Sequence, residues 1–232
     1  KISGETFGGS LALELDHVRR IAREIATAEK EKVQLGIVVG GGNIIRGASL
    51  SQHGFDRATG DYMGMMATVI NAMALQESLA KEGTRSSVIT ARTIEGIGEL
   101  YHHQKCLRYL EEGKVLIFAG GTGHPYFTTD TAAALTAVEI GAQCMFKATK
   151  VDGVYDKDPI KNPDASKFDF LTYDEVLFKE YRVMDLTAIS FCKENDLSIR
   201  VFNILQPGNL LRAMKKENIR TSNHQTHSTT ND

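Results

Sequence analysis

Two short apolar runs each stop at a cluster of glycines, and that pairing limits what the chain can become. Residues 33–39 read Val-Gln-Leu-Gly-Ile-Val-Val and end in Gly40-Gly41-Gly42-Asn43. Val115-Leu116-Ile117-Phe118-Ala119 ends in Gly120-Gly121-Thr122-Gly123. A near-continuous apolar run rich in β-branched residues is the pattern of a strand buried on both faces. Segments of helical spacing lie between such runs. Residues 13–32 place Leu15, Val18, Ala22, Ile25 and Ala26 on one side, with Arg and Glu on the other. From Asp61 onward a second helix is expected, with Met63, Met66, Ile70, Ala74 and Leu75 on its apolar side. Residues 98–112 predict a third helix, closed by Gly113, and residues 130–140 an Ala-rich fourth, ended by Gly141.

Further short strands are expected at 87–90, 144–147 and 199–202. Residues 156–169 read as a polar, Pro-containing loop, and helices are expected over 172–181 and 185–195. Buried strands alternating with helices imply an α/β fold, a three-layer sandwich with a mainly parallel central sheet. No linker or internal repeat divides the chain, so one domain is expected over residues 1–217. The Ser/Thr/His/Asn-rich stretch 218–232 lacks an apolar face and is expected to be a disordered tail. The chain opens at Lys1 without Met, and Lys1-Ile2-Ser3-Gly4-Glu5 reads as the end of a strand entering a turn, so further chain is expected before it.

Composition narrows the function. Lys+Arg 27 against Asp+Glu 29 leaves a net charge of −2, which offers no electrostatic case for nucleic acid or an acidic membrane surface. No apolar run approaches the ~18 residues a membrane span needs. Cys106, Cys144 and Cys192 are odd in number and widely spaced, neither a metal pattern nor a disulfide framework, and a cytoplasmic setting is expected. Gly 21 with Pro only 4 points to required backbone positions rather than to linker.

Those positions are informative. Gly4, Gly40 to Gly42 and Gly120 to Gly123 all follow strand ends, where ligands bind in α/β sheets and backbone N–H groups can approach a phosphate. One such turn alone reads as nothing more than a tight turn; three together point to phosphate binding. There is no G-x-x-x-x-G-K-[ST] and no G-x-G-x-x-G opening a helix, so neither a P-loop nor a dinucleotide fold is supported. Lys1, Arg46 and Lys147 stand beside the turns or strand ends, and cations there suit phosphoryl transfer, which asks for positioning and charge rather than a nucleophilic side chain. Lys150 reads equally as a surface residue, and helix capping is the alternative reading of Asp61 and of the Thr128-Thr129-Asp130 stretch.

Six motifs follow in order: Lys1-x-Ser3-Gly4-Glu5; Val39-Gly40-Gly41-Gly42-Asn43-x-x-Arg46-Gly47; Gly60-Asp61-x-Met63-Gly64-Met65; Gly121-Thr122-Gly123-x-Pro125-x-Phe127-Thr128-Thr129-Asp130; Lys147-Ala148-Thr149-Lys150-Val151-Asp152-Gly153-Val154; and Val183-Met184-Asp185-Leu186. Over nearly the whole ordered chain this series resembles the bacterial uridylate kinases (UMP kinases) of the amino-acid kinase family. The resemblance implies Mg²⁺- and ATP-dependent conversion of UMP to UDP by an allosterically controlled homohexamer. It places Lys1, Gly4, Gly42 and Arg46 on the ATP phosphates, with Thr149, Tyr155 and Asp158 on the adenine and ribose side. Gly41, Asp61 and the stretch Thr122, Gly123, His124, Pro125, Tyr126, Phe127, Thr128 and Thr129 would bind UMP, Asp61 through the ribose hydroxyls. Asp130 would hold the catalytic Lys1 and Lys147 in place, and no metal-ligating residue is implied. Asp185 resembles a family aspartate near the nucleotide site and reads equally as a cap. The Met-rich helix after Asp61 offers the subunit interface. Residues 6–11 are shorter than the family loop, and the sequence after Arg212 shows no clear last strand. Two other readings stay open: a sister kinase of this fold acting on a carboxylate or carbamate, and a non-catalytic nucleotide or oxyanion binder.

Overall fold

The structure, a computed structural model, describes residues 1–159, 161–181 and 183–215 and the backbone of 221–223. After a 3₁₀ turn over Gly4–Thr6 come α1 (Leu15–Glu29), β1 (Gly36–Val38), α2 (Gly47–Ser51), α3 (Arg57–Lys81), β2 (Ser86–Thr90) and β3 (Glu99–Leu100). Then follow α4 (His103–Glu111), β4 (Val115–Ala119), α5 (Thr129–Glu139), β5 (Met145–Thr149), β6 (Val154–Tyr155) and β7 (Lys167–Phe168). The remainder are β8 (Phe170–Leu171), α6 (Tyr173–Lys179), α7 (Leu186–Glu194), β9 (Ile199–Asn203), α8 (Asn209–Met214) and β10 (Thr221–Asn223).

Every residue of β4 is buried, as its unbroken apolar run requires. Its side chains alternate between two cores. Leu116 and Phe118 pack with the buried faces of α4, α5, α6 and α7, whereas Val115, Ile117 and Ala119 pack with α1, α3 and α8. Helices therefore cover both faces of one sheet, giving the three-layer α/β sandwich expected. One half of the sheet runs β3-β2-β4-β1, all parallel, and the other β5-β9-β10-β8.

The first residues join these halves. Ile2 bridges in parallel to both Val39 and Ala148, donating from its N–H to the Val38 carbonyl at 2.8 Å, while Ala148 N–H donates to the Lys1 carbonyl at 2.9 Å. The expected strand end at Lys1-Ile2-Ser3 thus lies at the centre of the molecule. Parallel pairing also carries the C-terminal ends of β1, β2, β4 and β5 to one edge of the sheet, so all three glycine turns meet there.

Several expectations are corrected. On α3 the sheet-facing side is Met65, Val69, Ala72, Leu75 and Leu79, whereas Met63, Met66 and Ile70, expected on the buried side, are exposed with Tyr62 and Met73. The helix is apolar on two faces, and periodicity alone does not say which one meets the sheet. Within the stretch expected to be a disordered tail, Thr221–Asn223 forms β10, antiparallel to β9 and parallel to β8. Its backbone finds ladder partners whatever its side chains are; the rest of 218–232 lies outside the described residues. The predicted loop at 156–169 also contains β7, which pairs antiparallel with β6. No helix among the described residues is long and apolar enough to cross a membrane.

Candidate active site

Lys1 and Lys147 point into the strand-end edge from adjacent positions, the first from the segment between the half-sheets and the second from the middle of β5. Asp130, in the first turn of α5, meets both. Lys1 Nζ lies 2.6 Å from Asp130 Oδ1, and Lys147 Nζ donates to Asp130 Oδ2 at 2.8 Å. Lys147 also donates to the Val183 carbonyl at 2.5 Å. All three side chains are nearly buried, with relative exposures of 8% for Lys1 and 14% each for Asp130 and Lys147. Burial alone would raise the Asp130 carboxyl pKa, but the two ammonium groups outweigh it and hold the carboxyl down at about 2. Burial pulls Lys147 below the ordinary lysine value, with Asp130 opposing the shift. The result is a fixed anion between two cations, held at the end of a sheet.

The glycines around it are there for close approach. A Cβ on Gly4 would stand 2.4 Å from the Gly42 nitrogen and 3.1 Å from the Gly40 carbonyl carbon, so these turns pack backbone against backbone. Such crowding has no flexible side chain to absorb it. Gly4→Ala is therefore expected to cost about 1–3 kcal/mol, measured as a lowered denaturant midpoint at unchanged slope. Gly41 is equally confined, against the Gly64 carbonyl and Thr68 nitrogen of α3. In the third turn Gly121 takes φ +57 and Gly123 φ +78, and the Gly120 N–H donates to Thr68 Oγ1 at 2.7 Å. Asn71 Nδ2 donates to the Gly40 carbonyl at 2.7 Å, tying the second turn to α3.

A second cluster forms where α2, α3 and the 122–129 loop meet. Asp61 accepts from Arg57 Nε at 3.0 and 2.9 Å and from the Tyr126 N–H at 2.8 Å. Asp61 lies one turn inside α3; the cap is Asp56, which accepts from Thr59 N–H at 2.9 Å. The alternative reading of Asp61 as a cap therefore falls away. Gly47 packs directly over it. Thr128 is the α5 cap, its Oγ1 accepting from Asp130 N–H at 3.0 Å, and Thr129 opens the helix. Arg46 pairs with Glu5 at the mouth of the second turn, their side chains 58% and 43% exposed.

Comparison with known proteins bears directly on this geometry. The model of the amino acid kinase family matches residues 5–203. The chain belongs to the amino acid kinase family. Uridylate kinases from Xanthomonas oryzae pv. oryzae and Xanthomonas campestris pv. campestris are each 47% identical to it over 223 residues, covering 95% of this chain and 93% of theirs. Among solved structures, a UMP kinase from Ureaplasma parvum superposes with TM-score 0.90 at 35% identity, covering 97% of this chain and 96% of its own. One from Bacillus anthracis gives 0.92 at 30%, covering 96% and 93%.

In this amino acid kinase Tyr155 and Asp158 occupy a different feature, β6 and the loop of the β6–β7 hairpin, and Thr149 lies before it. Thr149 ends β5 and closes a local turn, accepting from Val151 N–H at 2.9 Å. Tyr155 donates to Asp152 Oδ1 at 2.6 Å, and that bond pushes its phenol up to about 12. The Asp158 carbonyl caps the following turn, accepting from Asn162 N–H at 2.9 Å. Sequence reading missed Arg57, which pairs with Asp61 and lies over the Tyr126 ring at 5.5 Å; its i, i+4 spacing from Asp61 was the available signal. It also missed Arg92, whose Nε donates to the Gly123 carbonyl at 2.8 Å, and the Val183 carbonyl, which no side-chain pattern marks.

Proposed function

We propose that this chain transfers the γ-phosphoryl group of ATP to UMP, giving ADP and UDP. The observation that carries the reading is the pair of buried lysines held one to each oxygen of Asp130, beside three glycine turns and the α5 N-terminus. Two fixed cations suit the charge that spreads over the equatorial oxygens of a transferring phosphoryl group. The acceptor oxygen of a nucleoside monophosphate is already anionic near neutral pH, its second pKa being about 6, so no general base is required. Similarity to uridylate kinases along nearly the whole chain supports UMP as that acceptor.

ATP phosphates fit the Gly4 and Gly42 turns with Lys1, and Arg46 reaches them by exchanging Glu5 for phosphate. UMP fits between Asp61 and the 122–129 loop, where a carboxylate can accept from both ribose hydroxyls. Thr149, Tyr155 and Asp158 then line the adenosine side. Among the described residues no three His, Cys, Asp or Glu side chains converge, so the donor set fits Mg²⁺ brought in on the ATP phosphates rather than a protein cage. Such an ion neutralises phosphate charge, while Lys1, Lys147 and Asp130 orient the group that moves. A cytoplasmic setting agrees with these substrates. The outward stripe Tyr62, Met63, Met66, Ile70 and Met73 on α3 supports self-association, and we assign it to contacts within a homohexamer.

Three measurements follow. ADP release assayed with UMP, CMP, dUMP, acetylglutamate and aspartate should show turnover with UMP far above the rest; turnover only with an amino-acid substrate overturns the reading. Asp61→Asn is expected to raise the KM for UMP about tenfold and that for ATP about twofold or less, and to narrow the preference for UMP over dUMP. The lowered pKa of Lys147 sets the sign of the pH dependence: its proton is lost before that of an ordinary lysine, so kcat should fall on the alkaline side below the usual lysine range.

A further inference from the structure

We propose that Asp185 is a positioning residue for phosphoryl transfer, setting the first turn of α5 and through it Asp130; the inference rests on the kinase reading above. Its two oxygens do different work. Oδ1 caps α7, accepting from Ala188 N–H at 2.9 Å. Oδ2 accepts the hydroxyl proton of Thr128, and the Thr131 hydroxyl donates to both oxygens at 3.1 and 3.2 Å.

The Thr128 contact has a directional consequence. A hydroxyl has one proton and two lone pairs. With the proton committed to Asp185, the Thr128 lone pairs face the N–H groups of Asp130 at 3.0 Å and Thr131 at 3.4 Å. The backbone of Asp130 is thus held by a relay that starts on α7, while its carboxylate holds Lys1 and Lys147. The same segment grips the other side of the cluster, since Val183, two residues before Asp185, accepts from Lys147. Asp185 therefore ties α7, α5 and β5 together around the reacting position without belonging to a glycine turn or to the lysine pair itself.

Asparagine separates the two jobs. In Asp185→Asn the amide oxygen can still cap α7, because Asn is as good a cap as Asp, but the amide nitrogen facing Thr128 donates instead of accepting. It then competes with Asp130 N–H for the same lone pairs. The test is steady-state kinetics of the full chain with MgATP and UMP, thermal melting, and hydrogen exchange at the amides of Asp130 and Thr131. We expect kcat to fall at least tenfold with the KM for ATP within about twofold, the melting temperature within about 2 °C, and faster exchange at both amides. Thr128→Ala should reproduce the kcat loss, and Asp185→Asn/Thr128→Ala should lose little more than the worse single variant.

Unchanged exchange at Asp130 and Thr131 overturns the proposal whatever the substrate proves to be. So does a wild-type kcat in Asp185→Asn, a loss that multiplies in the double variant, or a loss matched by a fall in melting temperature. A wild-type chain inactive on UMP overturns the kinase reading instead, and the exchange data then judge the relay alone.

Discussion

Lys1→Ala is expected to lower kcat by about 10²–10³-fold while the KM for UMP changes by less than about threefold. Lys1 stands at the junction of the two half-sheets, with its ammonium on Asp130 and its carbonyl accepting from the Ala148 N–H of β5. In the proposed reaction it meets charge that develops on the γ-phosphoryl group, not the acceptor nucleoside. The fold should tolerate its loss, because Asp130 keeps Lys147 as a counter-ion and no buried charge is left unpaired. A normal turnover number in Lys1→Ala would remove it from the chemistry. A large rise in the UMP KM at constant kcat would move it to the acceptor site.

Asp130→Asn should be more damaging, and in two ways. It leaves two buried ammonium groups facing each other with no anion between them, and breaking a buried ion pair in this way costs about 3–5 kcal/mol. In a chain of this length that corresponds to a fall in melting temperature of roughly 6–20 °C. Turnover should fall below detection even where the protein is folded, because Lys1 then loses its ion pair and Lys147 keeps only the Val183 carbonyl. Asp130→Asn/Lys147→Met separates the effects: removing one ammonium should restore much of the stability and none of the activity. The pH dependence agrees in sign. Asp130 has its carboxyl held down from 3.8 to about 2 in the folded chain, so its stabilising contribution is complete above pH 3.8 and is lost as pH falls towards 2. Acid unfolding of the wild type should therefore steepen across that window, and Asp130→Asn should lack the added slope. A variant as stable as wild type at pH 7 would show that the charges are screened rather than buried.

The strands were legible because burial on both faces leaves a plain mark. The run at residues 115–119 is β4 with the same ends, and α1 lies inside the stretch expected for it. The glycine turns were legible for a related reason: only glycine lets Gly4 and Gly42 approach backbone to backbone, so the requirement shows in composition. The face of α3 was not legible. Met63, Met66 and Ile70 repeat with helical spacing as regularly as Met65, Val69 and Ala72, and only the position of the sheet decides which set is covered. The pairing of β10 depends on backbone partners distant in sequence, and no side-chain pattern announces it. At the site, the lysine–aspartate cluster was expected from motifs, but its grip on the Val183 carbonyl and the relay through Thr128 to Asp185 depend on atoms that motif spacing does not encode. Arg57 lies between these cases, since its partner Asp61 is one helical turn away and in plain view.

The most direct measurement is a single-turnover reaction of the full chain with ATP carrying a labelled γ-phosphoryl group, in the presence of Mg²⁺ and UMP. Label should leave ATP and appear at the β position of UDP, with one ADP formed for each UDP, and Lys1→Ala and Asp130→Asn should suppress this transfer. Label retained in ATP, or passed to a carboxylate acceptor while UMP stays unmodified, would contradict it.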